Sequence, residues 1–281
     1  MTRFIVTDST ASLPHYVIER EGIKVIGMQI SIDQMSFTEQ VEVSGQAVLA
    51  ALSNHRQVTT SQPSLGSIRA VYEECIGNGA SEILSIHLSS ELSGTYASCA
   101  LVAKEFSIPI RVVDSRSIGL GLGFAVLNAS RLGTLDSATV AETTQLQSMN
   151  SHIWLYVETL EYLHRGGRLG AAETFVGGAL QIKPILSMTD GRLQPLEKVR
   201  TTSKALARIV DLVCLQASES KGLLSIGVQH AGNREKARDV AAELGNKLPG
   251  TPIMISELGA VLSAHVGPGA IGVVLAENFH I

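Results

Sequence analysis

Ile83–Ala103 reads ILSIHLSSELSGTYASCALVA: an apolar run, a hydroxyl-rich bend with Ser93-Gly94-Thr95 at its corner, then a second run at helical spacing. Ile83, Leu84, Ile86 and Leu88 suit a buried parallel strand, and Tyr96, Ala100 and Ala103 suit the inward face of a following helix. So short a passage from strand to helix leaves several helix N–H groups pointing outward, where the positive end of the helix dipole favours an anion. Ser89, Ser90, Ser93 and Thr95 add hydroxyls that can cap the helix or reach a ligand, and this segment alone leaves both readings open.

The pattern recurs on either side. Phe4-Ile5-Val6 runs into Thr7-Asp8-Ser9-Thr10 before Leu13-Pro14 opens a helix, and Ile110–Val113 ends in Asp114-Ser115-Arg116 before a small-residue helix over Gly119–Ser130. Recurrent strand, corner and helix predict a parallel sheet covered by helices, its strand ends gathered on one edge where ligands bind in open α/β sheets. Asp8 and Ser9 belong to that edge, as ligand contacts or as local hydrogen-bonding groups. Between these units Val25–Ile32 reads as one or two extended segments and Val48–Leu52 as part of a helix. Val58-Thr59-Thr60-Ser61-Gln62-Pro63-Ser64 reads as a hydroxyl-rich corner before a helix over Ile68–Cys75, with Thr60 and Ser61 projecting from the loop. An exposed helix within 134–150 closes this half.

From Ser151 the character changes. Ile153–Val157 reads as a strand leading to His164-Arg165-Gly166-Gly167-Arg168-Leu169-Gly170, a basic, glycine-rich bend before a small-residue helix over 171–180. Asp190-Gly191 between two extended runs signals a hairpin. Thr201–Leu215 and Arg234–Leu244 read as helices, and Leu223–Val228 and Ile253–Ile255 as strands. The expected fold is α/β in two domains: residues 1–150 as an N-terminal parallel-sheet domain, and residues 151–281 as a C-terminal domain with a mixed, partly antiparallel sheet.

Composition narrows the function. The 281 residues are 45% hydrophobic and 17% charged, which describes a packed globular chain. A net charge of −4 offers no overall attraction to nucleic acid. Cys75, Cys99 and Cys214 lack metal-ligand or disulfide spacing, so no metal site is expected and a reducing cytoplasmic location is. No N-terminal leader pattern is read, and the uncharged stretch Leu258–Ala276 is too rich in glycine to span a membrane. Leu160–Arg208 carries eight basic against four acidic residues; Arg165 and Arg168 in the bend, and Arg200 at a strand end, suit an anionic ligand or an acidic partner. His265, in an apolar, Gly-flanked stretch, is either a hydrogen-bonded core residue or a proton donor to a buried anion.

With these residues assembled, the sequence resembles the DegV family of bacterial fatty-acid-binding proteins. The resemblance runs nearly end to end, through Thr7-Asp8-Ser9-Thr10, Thr60-Ser61-Gln62-Pro63-Ser64, Leu88-Ser89-Ser90 with Leu92-Ser93-Gly94-Thr95-Tyr96, Val113-Asp114-Ser115, 160–170, Lys183-Pro184-Ile185-Leu186, Lys198-Val199-Arg200-Thr201, and His265 before Gly267-Pro268-Gly269. It implies a protein without catalysis of its own or cofactor that holds a long-chain fatty acid and presents it to a separate ATP-dependent fatty acid kinase subunit. By motif, Thr60, Ser61, Ser93, Gly94 and His265 would bind the carboxylate, with Asp8, Ser9, Arg200 and Gly267 near the head group. Phe175, Gly178, Ala179 and Ile182 would line the acyl pocket, and Arg165 and Arg168 would dock the kinase. Partners would exclude nucleic acid, and membrane contact would be transient at most. A sixteen-carbon tail buried at ~0.8 kcal/mol per methylene gives about 12 kcal/mol before association costs, so the tail supplies affinity and the hydroxyls supply position. The competing reading is a phosphotransfer or dihydroxyacetone-kinase-like enzyme with a covalent intermediate on His230 or His265.

Overall fold

The structure, a computed structural model, describes residues 2–133, 135–168 and 182–278. In chain order the first half forms β1 (Arg3–Asp8), α1 (His15–Glu21), β2 (Lys24–Ile26), β3 (Gln29–Ile32), β4 (Met35–Thr38), α2 (Gly45–Ser53), β5 (Val58–Ser61), α3 (Leu65–Gly77), β6 (Glu82–His87), α4 (Thr95–Ala103), β7 (Ile110–Asp114), α5 (Leu120–Arg131) and α6 (Ser137–Met149). The second half forms β8 (His152–Tyr156), α7 (Glu161–Arg165), β9 (Lys183–Thr189), β10 (Arg192–Val199), α8 (Thr202–Glu219), β11 (Leu223–His230), α9 (Arg234–Lys247), β12 (Ile253–Glu257), α10 (Ala260–Val266) and β13 (Ile271–Asn278).

The expected α/β class holds, with one parallel and one mixed sheet. The first sheet has the order β2-β1-β6-β7 and is parallel throughout. The quoted stretch supplies its β6, the corner and α4, and Ile83, Leu84 and Ile86 are fully buried as a doubly covered strand requires. The second sheet has the order β10-β9-β8-β13-β11-β12; β11 and β12 pair in parallel and every other pair is antiparallel. Alternation along its strands separates two faces. Trp154, Tyr156, Val273 and Leu275 pack with Ile209, Val213 and Ala237 under α8 and α9. Ile153 and Val274 turn the other way and join the largest buried cluster, which includes Leu84, Leu122 and Val126 from the first half.

Two parts of the first half differ from the sequence reading. Val58–Ser61 is a strand, not a loop: β5 joins β3 and β4 in a small antiparallel sheet of order β4-β3-β5, with Thr60 opposite Ile30 and Ser61 opposite Gln29. Its β3–β4 hairpin turns at Asp33-Gln34, both at positive φ (48° and 71°), so a two-residue turn is made without the Gly that would announce it. The helix in 134–150 is also less exposed than expected, since Val140, Thr144 and Gln147 of α6 are buried. The predicted helix starts hold: Ser64 caps α3, accepting from the Ser67 N–H at 3.0 Å, and Pro14 precedes α1.

Candidate functional site

A cavity of about 90 Å³ lies between the small sheet, the edge of the parallel sheet and the inner face of the mixed sheet. By volume it exceeds several times the ~10–15 Å³ that a single water centre needs. Both halves wall it: Met28, Leu88, Leu92 and Ile118 from the first, Ile153, Leu155, Leu163, Leu193, Leu258 and Val261 from the second. Several elements bring polar side chains to this wall: β5 brings Thr60 and Ser61, the bend after β6 brings Ser93, α10 brings His265, and the bend after α7 brings Arg168.

Each of these is held by its own element. Register with β3 fixes Thr60, whose Oγ1 lies 2.8 Å from His265 Nε2. Ser93 Oγ accepts from the Thr95 N–H at 3.3 Å and lies 2.9 Å from Thr95 Oγ1, so the hydroxyl caps α4 while facing the cavity. Gly94 is pressed against Gln62, where a Cβ would stand 2.1 Å from the amide oxygen, so a larger residue here would displace the Gln62 side chain from the cavity wall. The α10 helix that carries His265 is pinned by Glu39, a buried carboxyl that accepts from the Val261 N–H at 2.9 Å and from the Ser9 hydroxyl. Burial pushes Glu39 above the usual carboxylate range. Arg168 donates from Nη1 to the Gly166 carbonyl at 2.6 Å and from Nε to the Leu92 carbonyl at 3.3 Å, which clasps the α7 end to the Ser93 bend.

Burial, reinforced by the Arg168 charge, lowers the His265 pKa to about 4, so the ring is neutral near pH 7. Its Nδ1 is buried with no partner among the described residues. With the proton on Nε2, the ring donates to Thr60 Oγ1 and leaves the threonine O–H to donate onward; an anion at this point would receive donors from Thr60, Ser93 and Arg168. On the opposite side of the Thr60–His265 pair a second cavity, of about 130 Å³, is lined by Thr59, Tyr162, Arg165, Gly166 and Arg168. The pair and Arg168 therefore partition an apolar chamber from a basic vestibule.

Other expected site residues lie elsewhere. Asp8 is fully buried and engaged, accepting from the Thr10 N–H and hydroxyl, from the Leu88 N–H at 3.0 Å and from His87 Nδ1 at 3.0 Å. Ser9 Oγ accepts from the Met28 N–H at 3.0 Å and donates to Glu39. Gly267, at φ 74°, packs against the Tyr162 ring, which a Cβ would strike at 2.1 Å. Arg200 is exposed beyond β10, and Ile182 is half-buried just before β9. Arg165 is exposed, ion-paired with Glu161 and 5.7 Å from the Tyr162 ring centroid. Phe175, Gly178 and Ala179 lie outside the described residues. The sequence reading did not single out Gln62 or Gln229, both in the cavity wall, nor the inward position of Arg168. Lone amides and an arginine in a basic run carry no spacing signal that marks them as inward.

Among the described residues no group of His, Cys, Asp and Glu could hold a metal ion, and no helix is long and apolar enough to cross a membrane. The whole arrangement has close relatives. A DegV domain-containing protein of Streptomyces coelicolor is 40% identical over 279 residues, covering 98% of both chains. A fatty-acid-binding DegV family protein from Thermus thermophilus has a similar solved structure, with TM-score 0.93 and 31% identity over 99% of this chain and all of that one. The Bacillus subtilis DegV structure, described as a fatty acid binding protein, matches with TM-score 0.90 and 33% identity over 99% of both chains. Residues 3–278 match the sequence profile described as "Uncharacterised protein, DegV family", and with these relatives this shows that the chain belongs to the DegV family.

Proposed function

We propose that this protein binds a long-chain fatty acid without chemistry of its own and presents its carboxylate to a separate ATP-dependent kinase subunit for acyl-phosphate formation. The observation that carries the reading is the partition itself: an apolar chamber with Thr60, Ser93, His265 and Arg168 in its wall, and a basic vestibule that shares Thr60, His265 and Arg168 with it. A carboxylate at the partition would keep its tail in the chamber and one edge towards the vestibule, where a partner could reach it. Solved relatives at 31% and 33% identity, described as fatty acid binding, support the ligand class. The tail supplies affinity, at ~0.8 kcal/mol per buried methylene, while the donors offset the desolvation of the carboxylate and fix its place.

In this reading residues 1–150 carry the head-group loops with Thr60 and Ser93, and residues 151–281 add His265 and Arg168 and hold the acyl chain against Met28, Leu88, Leu92 and Ile118 of the first half, in a reducing, cytoplasmic setting that suits three free cysteines. The phosphotransfer alternative gains no support from geometry. Neither His230 nor His265 hydrogen-bonds a carboxylate among the described residues, so neither ring has the orienting partner that activates a histidine nucleophile. The test is organic extraction of the purified protein followed by mass spectrometry. A long-chain acid near one per chain is expected; a protein that yields none, and takes none up from added palmitic or oleic acid, would overturn the proposal.

A further inference from the structure

The α10 helix, which carries His265, is capped from the other half of the chain. A helix begins with N–H groups that need acceptors, and the N-cap side chain ordinarily supplies one. At α10 the N-cap is Gly259, which has no side chain to give. Glu39, in the loop after β4 and 222 residues from Val261, takes that role: its Oε1 accepts from the Val261 N–H at 2.9 Å. A Cβ on Gly259 would stand 2.3 Å from the same oxygen, so the carboxyl group occupies the place of the missing cap. Glu39 is itself fixed. Its N–H donates to the Met28 carbonyl at 2.9 Å, its other carboxyl oxygen accepts from the Ser9 hydroxyl, and Ser9 Oγ accepts from the Met28 N–H at 3.0 Å. It is buried to 1% exposure and lies outside the chamber wall.

What the cap fixes is the place of two chamber residues. Val261, which donates to Glu39, and His265, one turn on and on the same face, both line the chamber. The 2.8 Å contact of His265 Nε2 with Thr60 Oγ1 joins α10 of the second half to β5 of the first, and such a bond weakens steeply once its angle is lost. α10 packs on α2, but apolar packing is non-directional and does not by itself set the rotation of a seven-residue helix. A bond to its first turn does. Glu39 follows β4 and Thr60 lies on β5, two strands of one small sheet joined through β3, so the residue that holds α10 and the residue that meets His265 share a single frame.

We propose that Glu39 is a positioning residue for fatty acid binding: by capping α10 across the two halves it holds His265 on Thr60 and so aims the threonine hydroxyl at the carboxylate. The proposal rests on the fatty-acid reading of the cavity and adds to it a residue that touches no lipid. The role asks for an acceptor oxygen at this reach, which a primary amide supplies as well as a carboxyl group does.

The test separates reach from chemical type. Glu39→Gln keeps an acceptor oxygen at the same reach, and Glu39→Asp keeps the carboxyl group on a side chain one methylene shorter. Stearic acid affinity, by competition against a fluorescent fatty acid, should stay within about threefold of native in E39Q and weaken about tenfold in E39D, the scale of one hydrogen bond. H265A should weaken binding at least as much as E39D, and E39D should add less than about twofold in the H265A background, because its effect passes through His265. In lipid-free protein the His265 ring resonances should move in E39D and match the native ones in E39Q. R3A controls for lost stability alone: Arg3 starts β1 and bonds Glu82, Ser137 and the Leu132 and Leu135 carbonyls, none of them on α10. It should lower the urea midpoint and leave affinity and the His265 resonances unchanged. Should neither Glu39 variant fold, hydrogen exchange on the native protein decides. Saturating stearic acid should slow the Val261 amide more than the Ile83 amide of β6, since a hold that aids binding is strengthened by it in return. Native affinity in E39D, an E39Q as weak as E39D, an E39D loss that persists in H265A, His265 resonances indifferent to E39D, a matching loss in R3A, or equal slowing at Val261 and Ile83 would each overturn the inference, and would leave the fatty-acid reading intact as long as the native protein binds stearic acid. A native protein that binds none would remove both.

Discussion

Two hydroxyl-rich corners of this protein look alike in sequence and differ in what they have left over. At the end of β1, the Asp8-Ser9-Thr10 corner spends its side chains on the fold: both Asp8 oxygens accept hydrogen bonds, His87 joins it to Ser85 at 2.7 Å, and Tyr72 donates to Ser85 at 2.9 Å. At the partition, Thr60, Ser93 and His265 line a cavity, and His265 Nδ1 has no partner among the described residues. Polar side chains converging from several elements on an otherwise apolar cavity wall are the pattern of a ligand site, whereas a corner whose groups all bond to one another is structural. The first corner should therefore be read through stability and the second through binding.

The largest effect tests the first half of that contrast. Asp8→Ala removes the carboxylate from a fully buried pair with His87, which should cost about 3–5 kcal/mol of unfolding free energy in urea titrations while the folded fraction binds fatty acid as before. Loss of lipid affinity with unchanged stability would invert the assignment.

The two histidines give the contrast a pH signature. Burial alone would lower His87, but the Cys99 sulfur and the Asp8 carboxylate hold its pKa at about 10, above its unfolded value near 6.5; its contribution is complete below pH 6.5 and fades as pH rises through about 10. His265 has the opposite sign. Its folded pKa of about 4 lies below the unfolded value, so the unfolded chain takes up the extra proton and stability falls as pH drops from about 6.5 to about 4, by up to ~3 kcal/mol. Replacing His265 by Asn should flatten the acid side of a stability–pH curve measured by denaturant midpoint and leave the alkaline side unchanged.

Next come the hydroxyls. Thr60→Ala and Ser93→Ala should each weaken fatty acid binding about ten- to hundredfold, the range of one lost hydrogen bond to a charged group. Stability should change by less than about 1 kcal/mol, Ser93 costing the more because it also caps α4. A binding isotherm and a urea curve on each variant separate the two quantities, and a variant that loses stability in proportion to affinity would erase the distinction between the corners.

Much of this was legible in the chain. The strand-corner-helix units place the parallel sheet, Asp190-Gly191 places the β9–β10 hairpin, and the hydroxyls at 60 and 93 line one cavity with His265. Hydroxyl content could not tell a consumed corner from an open one, because that depends on partners far away in sequence: Asp8 meets His87 79 residues on, and Thr60 meets His265 205 residues on. The small sheet was hidden by a turn built on Asp33-Gln34, and Gln229 was hidden because an amide gives no periodic signal.

The smallest expected effect separates two arginines three residues apart that the sequence put in one class. Arg165 is exposed and paired with Glu161 on the same helix, a surface contact worth ~0–1 kcal/mol, so Arg165→Ala should leave both stability and lipid affinity within error. Its expected effect is confined to transfer with a purified fatty acid kinase subunit, seen as a raised apparent KM for the lipid-loaded protein. Arg168 lines both cavities and lowers the His265 pKa. Arg168→Ala should weaken lipid binding, and in an NMR titration the His265 pKa should climb from about 4 towards the ordinary imidazole value while burial still holds it below. Equal behaviour of the two variants in binding and in the titration would mean that Arg168 belongs to the surface with Arg165 and that the partition is built from Thr60, Ser93 and His265 alone.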